Sequence, residues 1–156
     1  MVIIGLDFGE RFGVGIIKDD GAFIGCQTWK LKRPTDIHFG IRLVRLEENL
    51  GRLVDGCEDS VKLAFEDVLR HAGVKAAHAY GAYHGAVHRF AAERGLTIVP
   101  VSVTEIKKVA TGSGKASKDA MVDAAKSHWK IRTALDDNGA DALWVAEAAR
   151  RLGKIR

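Results

Sequence analysis

The chain has two cysteines, Cys26 and Cys57, in 156 residues. That allows a single pair with no metal-like spacing, so a disulfide framework and a cysteine zinc site are both excluded, and reduced core thiols are the simplest reading. Long apolar runs are also missing. The longest, such as Val2-Ile3-Ile4-Gly5-Leu6, falls far short of a bilayer span. Residues 1–8 lack a basic n-region and a cleavage-like segment, so no signal peptide is expected. With 47% hydrophobic and 28% charged residues, the composition excludes a disordered chain and suits a single domain over 1–156.

Charge of one sign is scarce except in one place. The formal net charge is +4, and residues 103–132 carry seven Lys/Arg against three acids, while the rest balances. A concentrated basic segment attracts polyanions, phosphate backbones above all, although a solvated lysine face has the same composition.

Residues 2–7 form a continuous apolar run, as expected of a central strand buried on both faces. Residues 12–17 and 22–31 read as two further strands joined at Asp19-Asp20-Gly21 into a hairpin. Pro34 stops the sheet and Asp36 offers an N-cap for an amphipathic helix over 37–54. Strands are expected over 60–67 and 96–101, with a helix over 80–94 between them. Thr104 offers a cap for a short helix over 105–109, and Ser117 for one reaching about residue 128. The last helix runs over about 138–152. The order β-β-β-α-β-α-β-α-α-α predicts an α/β fold with a mixed sheet flanked by helices.

Three acids occupy costly positions. Asp7 ends an apolar strand, Glu66 ends the run Val61-Lys62-Leu63-Ala64-Phe65, and Asp141 lies on a helix among Ala140, Ala142, Leu143 and Val145. Clustered carboxylates repel unless they share a proton or a cation, and an all-oxygen donor set suits Mg²⁺ or Mn²⁺ rather than zinc. Each acid also has a plain structural alternative: turn former for Asp7, ion-pair partner for Glu66, helix-dipole partner for Asp141.

Gly5-Leu6-Asp7-Phe8-Gly9, Phe65-Glu66-Asp67 and Ala140-Asp141-Ala142-Leu143, in this order and spacing, resemble the RuvC family of Holliday-junction resolvases within the RNase H-like superfamily. The segment Lys107 to Lys118, with Thr111-Gly112-Ser113-Gly114 at its centre, is similar to that family's basic loop. The resemblance implies a five-stranded RNase H-like domain acting as a homodimeric endonuclease on four-way DNA junctions in the bacterial cytosol. It further implies two Mg²⁺ (or Mn²⁺) per site, held by Asp7, Glu66 and Asp141. Lys107 and Lys118 match lysines at the scissile phosphate. The flexible, lysine-flanked loop adds Lys108, Ser113 and Lys115 as DNA contacts.

Two positions depart from the family's pattern. Asn138 stands where a fourth acid is common; Asn138 as a neutral ligand is favoured, with Asp137 as the alternative, and Asp136, Asp137 and Asn138 all suit N-capping. Leu69 stands where an aromatic wedge is common, and leucine cannot stack on a base. These departures and the compact length resemble phage-encoded members. A flap or RNA–DNA hybrid nuclease, or a non-catalytic branched-DNA binder, stays open at this point.

Other signals lead elsewhere. Gly112-Ser113-Gly114-Lys115-Ala116 lacks the first glycine and the Ser/Thr of a Walker A loop, so no nucleotide cofactor is expected. The Gly5–Gly9 motif also opens sugar kinase and actin-type ATPases, which need a duplicated domain. His84 and His88 lack the HExxH context of zinc helices. Trp144 reads as core, amphipathic Trp129 leaves a DNA or dimer contact open as the alternative to a structural role, and the 80–94 helix, rich in small residues, is the candidate dimer face.

Overall fold

Alternating burial along the first strand sets up the architecture. Val2, Ile4 and Leu6 enter one hydrophobic cluster, whereas Ile3 enters another, as a strand covered on both faces requires. The computed structural model describes residues 1–155, with side-chain surroundings to residue 153. Its elements are β1 (Val2–Asp7), β2 (Arg11–Lys18), β3 (Phe23–Lys30), α1 (Gly40–Asp55), β4 (Val61–Asp67), α2 (Val74–Glu93), β5 (Thr97–Ser102), α3 (Val103–Thr111), α4 (Lys118–Trp129) and α5 (Asp137–Ile155). The sheet order is β3-β2-β1-β4-β5. The β1–β2 and β2–β3 ladders are antiparallel, and β1–β4 and β4–β5 are parallel, giving the expected mixed sheet.

One face of the sheet packs on α1 and α2 through Leu46, Leu50, Tyr83, Val87 and Phe90. The other is covered by α3, α4 and above all α5, whose Ala140, Leu143, Trp144 and Val145 are buried. Glycines bring α5 unusually close. Gly5 pairs with Gly15, and Asp7 with Gly13, across the β1–β2 ladder. A Cβ on Gly5 would lie 2.0 Å from the Ala142 carbonyl oxygen, one on Gly13 2.2 Å from that of Asn138, and one on Gly15 2.4 Å from the Leu143 nitrogen. The helix backbone therefore rests directly on the sheet backbone, a contact only glycine permits.

Several boundaries differ from the expected ones. Helix α2 starts at Val74, not at 80, because its first turns are mostly exposed and show no apolar stripe. Helix α1 starts at Gly40 after Phe39, with no side-chain cap. Asp36 is not its N-cap: its carboxylate accepts from the Arg33 amide and from both terminal nitrogens of Arg45, at 2.6 and 2.9 Å. Ile37 stays outside the helix and is exposed. The cap of α3 is Ser102 rather than Thr104, in a reciprocal capping box with Glu105. Ser117 caps α4 as expected.

The Asp36–Arg45 pair ties the β3–α1 connection to α1. Hydrogen bonds from Arg45 and the Arg33 amide hold the Asp36 carboxyl at about 2. Because this folded-state value is depressed, the stabilisation is present above the ordinary carboxylate range and is lost as pH falls towards 2. Asp36→Asn is expected to melt below the wild type at pH 7, with the gap closing near pH 2. Thermal melts across that range check it.

Candidate active site

Register alone places two of the acids side by side. Leu6 of β1 pairs with Phe65 of β4, so the next residues, Asp7 at the end of β1 and Glu66 one residue before the end of β4, lie at the same end of adjacent parallel strands. Leu6 and Phe65 point into the α1/α2 core, so strand alternation turns Asp7 and Glu66 to the α5 side. The glycine contacts lay α5 over that same side, and Asp141 lies just before Ala142, which sits against Gly5.

Asp7 lies in the field of both other acids, and Glu66 in that of Asp141. Burial first, then Glu66 and Asp141, push Asp7 up to about 8, and Lys118 opposes the rise. Burial pushes Asp141 up to about 6 against the pull of Lys118 and Lys107. Burial and the charge of Asp141 raise Glu66, with Lys107 opposing. Such a group cannot hold all its negative charge without a compensating cation. Among the described residues, however, no three His, Cys, Asp or Glu side chains close into a metal cage.

The start of α5 separates three neighbouring side chains. Asp136 is the cap: its Oδ1 accepts from the Gly139 amide at 2.8 Å and from the Thr28 hydroxyl at 2.9 Å. Asp137 pairs with the Lys118 ammonium at 3.0 Å, which lowers the Asp137 pKa, and its charge raises those of Asp7 and Asp141. The Asn138 amide donates to Asp137 Oδ1 at 3.4 Å, and its backbone carbonyl lies against Gly13.

Lys107 is half-buried beside the carboxylates, and Lys118 is exposed. Lys108, Ser113 and Lys115 are exposed on α3 and the α3–α4 loop, after Gly112 ends α3 in the left-handed conformation at φ 77°. Leu69 is 85% exposed on the β4–α2 connection.

Sequence reasoning missed the parts that hold the acids in place. The Tyr80 hydroxyl donates to the Glu66 carbonyl at 2.9 Å and accepts from the Val68 amide at 3.2 Å. Phe8 stacks on Phe12 and Phe65 and packs against Tyr80, anchoring the turn after Asp7. The repeat Gly13-Val14-Gly15 inside an apolar strand was the available signal for close helix approach. Trp129 is tied into the fold: its Nε1 donates to the Gly21 carbonyl at 3.1 Å and its ring packs on buried Trp144. His84 and His88 pack on each other and edge-on to Phe65. Both cysteines are free and half-buried, with burial raising their thiol pKa values.

A β3-β2-β1-β4-β5 mixed sheet with helices on both faces is the RNase H-like architecture. Among solved structures, Thermus thermophilus RuvC in complex with a Holliday junction substrate superposes with a TM-score of 0.86 at 20% identity, covering 99% of this chain and 96% of that one. The yeast mitochondrial Holliday junction resolvase Ydc2 gives 0.65 at 16% identity, over 96% and 77%. These likenesses are of fold. In sequence, the family model described as crossover junction endodeoxyribonuclease RuvC matches residues 3–148. The protein of that name from an Anaeromyxobacter strain is 30% identical over 167 residues, covering 99% of this chain and 76% of its own. That from Halorhodospira halophila is 31% identical over 156, covering 92% and 86%. The chain belongs to the RuvC family of crossover junction endodeoxyribonucleases.

Proposed function

We propose that this protein, acting as a single domain and a homodimer in the bacterial cytosol, resolves four-way DNA junctions by hydrolysing a phosphodiester bond in each of two opposed strands. The observation that carries the reading is the placement of Asp7 and Glu66 on adjacent parallel strands, on the sheet face where α5 brings Asp141, in a chain of this family. These three residues would hold two Mg²⁺ ions, with Mn²⁺ as a substitute and Asn138 or Asp137 as a further oxygen donor. When bound, the ions make water a stronger nucleophile and neutralise charge on the leaving oxygen.

The chain's own groups do the rest. Asp7, buried and flanked by two acids, would give up its proton on loading of the site, so loading would be favoured as pH rises. Lys107 and Lys118 offer ammonium groups to the phosphate as negative charge builds. Lys108, Ser113 and Lys115 follow the backbone of the cut strand through ammonium, hydroxyl and amide contacts. Leu69, apolar and exposed, is placed to enter the branch point, where it excludes water without stacking as a ring does. The exposed Gly81 and Gly85 leave room for a second copy to approach α2, and two sites related by a two-fold axis match two symmetric cuts.

Cleavage of a panel of four-way, three-way, flap and RNA–DNA hybrid substrates with Mg²⁺, ends mapped, tests the reading. Paired nicks in the four-way junction with 5′-phosphate ends are expected, and preferential cutting of hybrid or flap overturns it. Lys118→Ala separates chemistry from folding. Its exposed pair with Asp137 contributes at most about 1 kcal/mol to stability, whereas loss of charge at the phosphate slows cleavage by on the order of 10²-fold. Single-turnover rates beside urea melts check both halves.

A further inference from the structure

Two exposed cations face each other at the catalytic end of the sheet. Arg11 begins β2 and Lys30 ends β3, and the antiparallel register pairs them directly. Alternation settles their face. Phe12 and Trp29, also paired, stack on each other on the α1/α2 side. Arg11 and Lys30 therefore project to the other side, the side of Gly13, Thr28 and the α5 N-terminus, where Asp7 and Glu66 also point. Nearby Lys32 is taken up by Glu10 at 2.8 Å, whereas no carboxylate among the described residues pairs with Arg11 or Lys30. Like charges directly opposite each other in a ladder destabilise it. Their placement beside a carboxylate centre calls for a polyanion that lies over both.

We propose that Arg11 and Lys30 form a second phosphate-binding flank, which holds the nucleic-acid backbone on the β3 side of the carboxylates while the α3–α4 loop holds it on the other. The inference rests on the reading of Asp7, Glu66 and Asp141 as a DNA-cutting site and adds where the flanking strand runs. The sheet order supports the two-sided arrangement: β3 and β2 lie to one side of β1, whereas α3 follows β5 at the far edge. Two strand spacings separate β3 from β1, about 10 Å. The ligand is the phosphodiester backbone itself, without base readout.

The test uses the full chain carrying Asp7→Asn, so that DNA is bound and not cut, with a synthetic four-way junction titrated across a salt series. Arg11→Gln with Lys30→Gln is expected to weaken binding by on the order of tenfold near 0.1 M salt and to flatten the slope of log affinity against log salt by about 2. The control removes the same charge from the opposite end of the sheet, through Lys18→Gln with Lys62→Gln, where Lys18 pairs with Val2 and Lys62 with Ile3. That pair is expected to leave the slope unchanged. Equal slopes for both double variants overturn the second flank while leaving the cutting site intact. Failure of the Asp7→Asn protein itself to bind the junction overturns both readings. Melting is a second measurement: Arg11→Gln alone is expected to raise the melting temperature slightly by relieving the cross-strand repulsion, and a fall shows that Arg11 serves the fold instead.

Discussion

Asp7→Asn is expected to lower junction cleavage by on the order of 10³-fold and, in the same protein, to raise stability in the absence of divalent ions. The second effect follows from the sign of the pKa shift. In the unfolded chain Asp7 titrates near 3.8; in the fold it titrates near 8. Between these values the native state holds a proton that the unfolded state has lost, so stability falls as pH rises from about 4 towards 8 and levels off above. The penalty at pH 8 is on the order of a few kcal/mol. Asparagine has the same shape without the charge, so the variant melts above the wild type at pH 8 and close to it at pH 4. Adding Mg²⁺ raises the melting temperature of the wild type far more than that of the variant. A wild type whose melting is indifferent to both pH and Mg²⁺ would leave the carboxylates without their assigned role.

The largest structural effect is expected from Gly5→Ala. Its new Cβ would meet the Ala142 carbonyl at 2.0 Å and the Ala146 nitrogen at 2.6 Å. Both are backbone atoms, so no rotamer change relieves the contact and α5 must move off the sheet. Overpacking in cores costs about 1–3 kcal/mol even when side chains can give way, and the rigid contact here puts the loss at ~3 kcal/mol or more. Because α5 carries Asp141, cleavage falls with stability in urea titrations and single-turnover assays. Gly25→Ala is the control. A Cβ there meets nothing within 4 Å, so stability holds or rises by up to ~1 kcal/mol and cleavage is unaffected. A Gly5→Ala protein as stable as the wild type would show that α5 does not rest on the glycines.

Much of this was legible in the chain. The apolar run of β1, the hairpin signal at Asp19-Asp20-Gly21 and the later apolar strands predict the five-stranded mixed sheet, because strands buried on both faces must be written in consecutive apolar residues. Asp7, Glu66 and Asp141 stand out for the opposite reason, as charges where burial is costly. The start of α2 was not legible, since an exposed alanine-rich turn carries no periodic stripe. Neither was the fate of Asp36. A cap and a salt-bridge partner use the same carboxylate, and the choice was made by Arg45, one helix turn and a loop away.

The amino-acid sequence by itself determined which residues are strands, which acids are out of place, and where positive charge is concentrated, since these depend on local composition and period. Only the tertiary structure decided that Gly5, Gly13 and Gly15 form a bed for α5, that Tyr80 holds the Glu66 backbone, and that Arg11 stands opposite Lys30 on the carboxylate side. Strand register and helix docking settle those relations, and both arise from contacts between segments far apart in the chain, which no local pattern encodes.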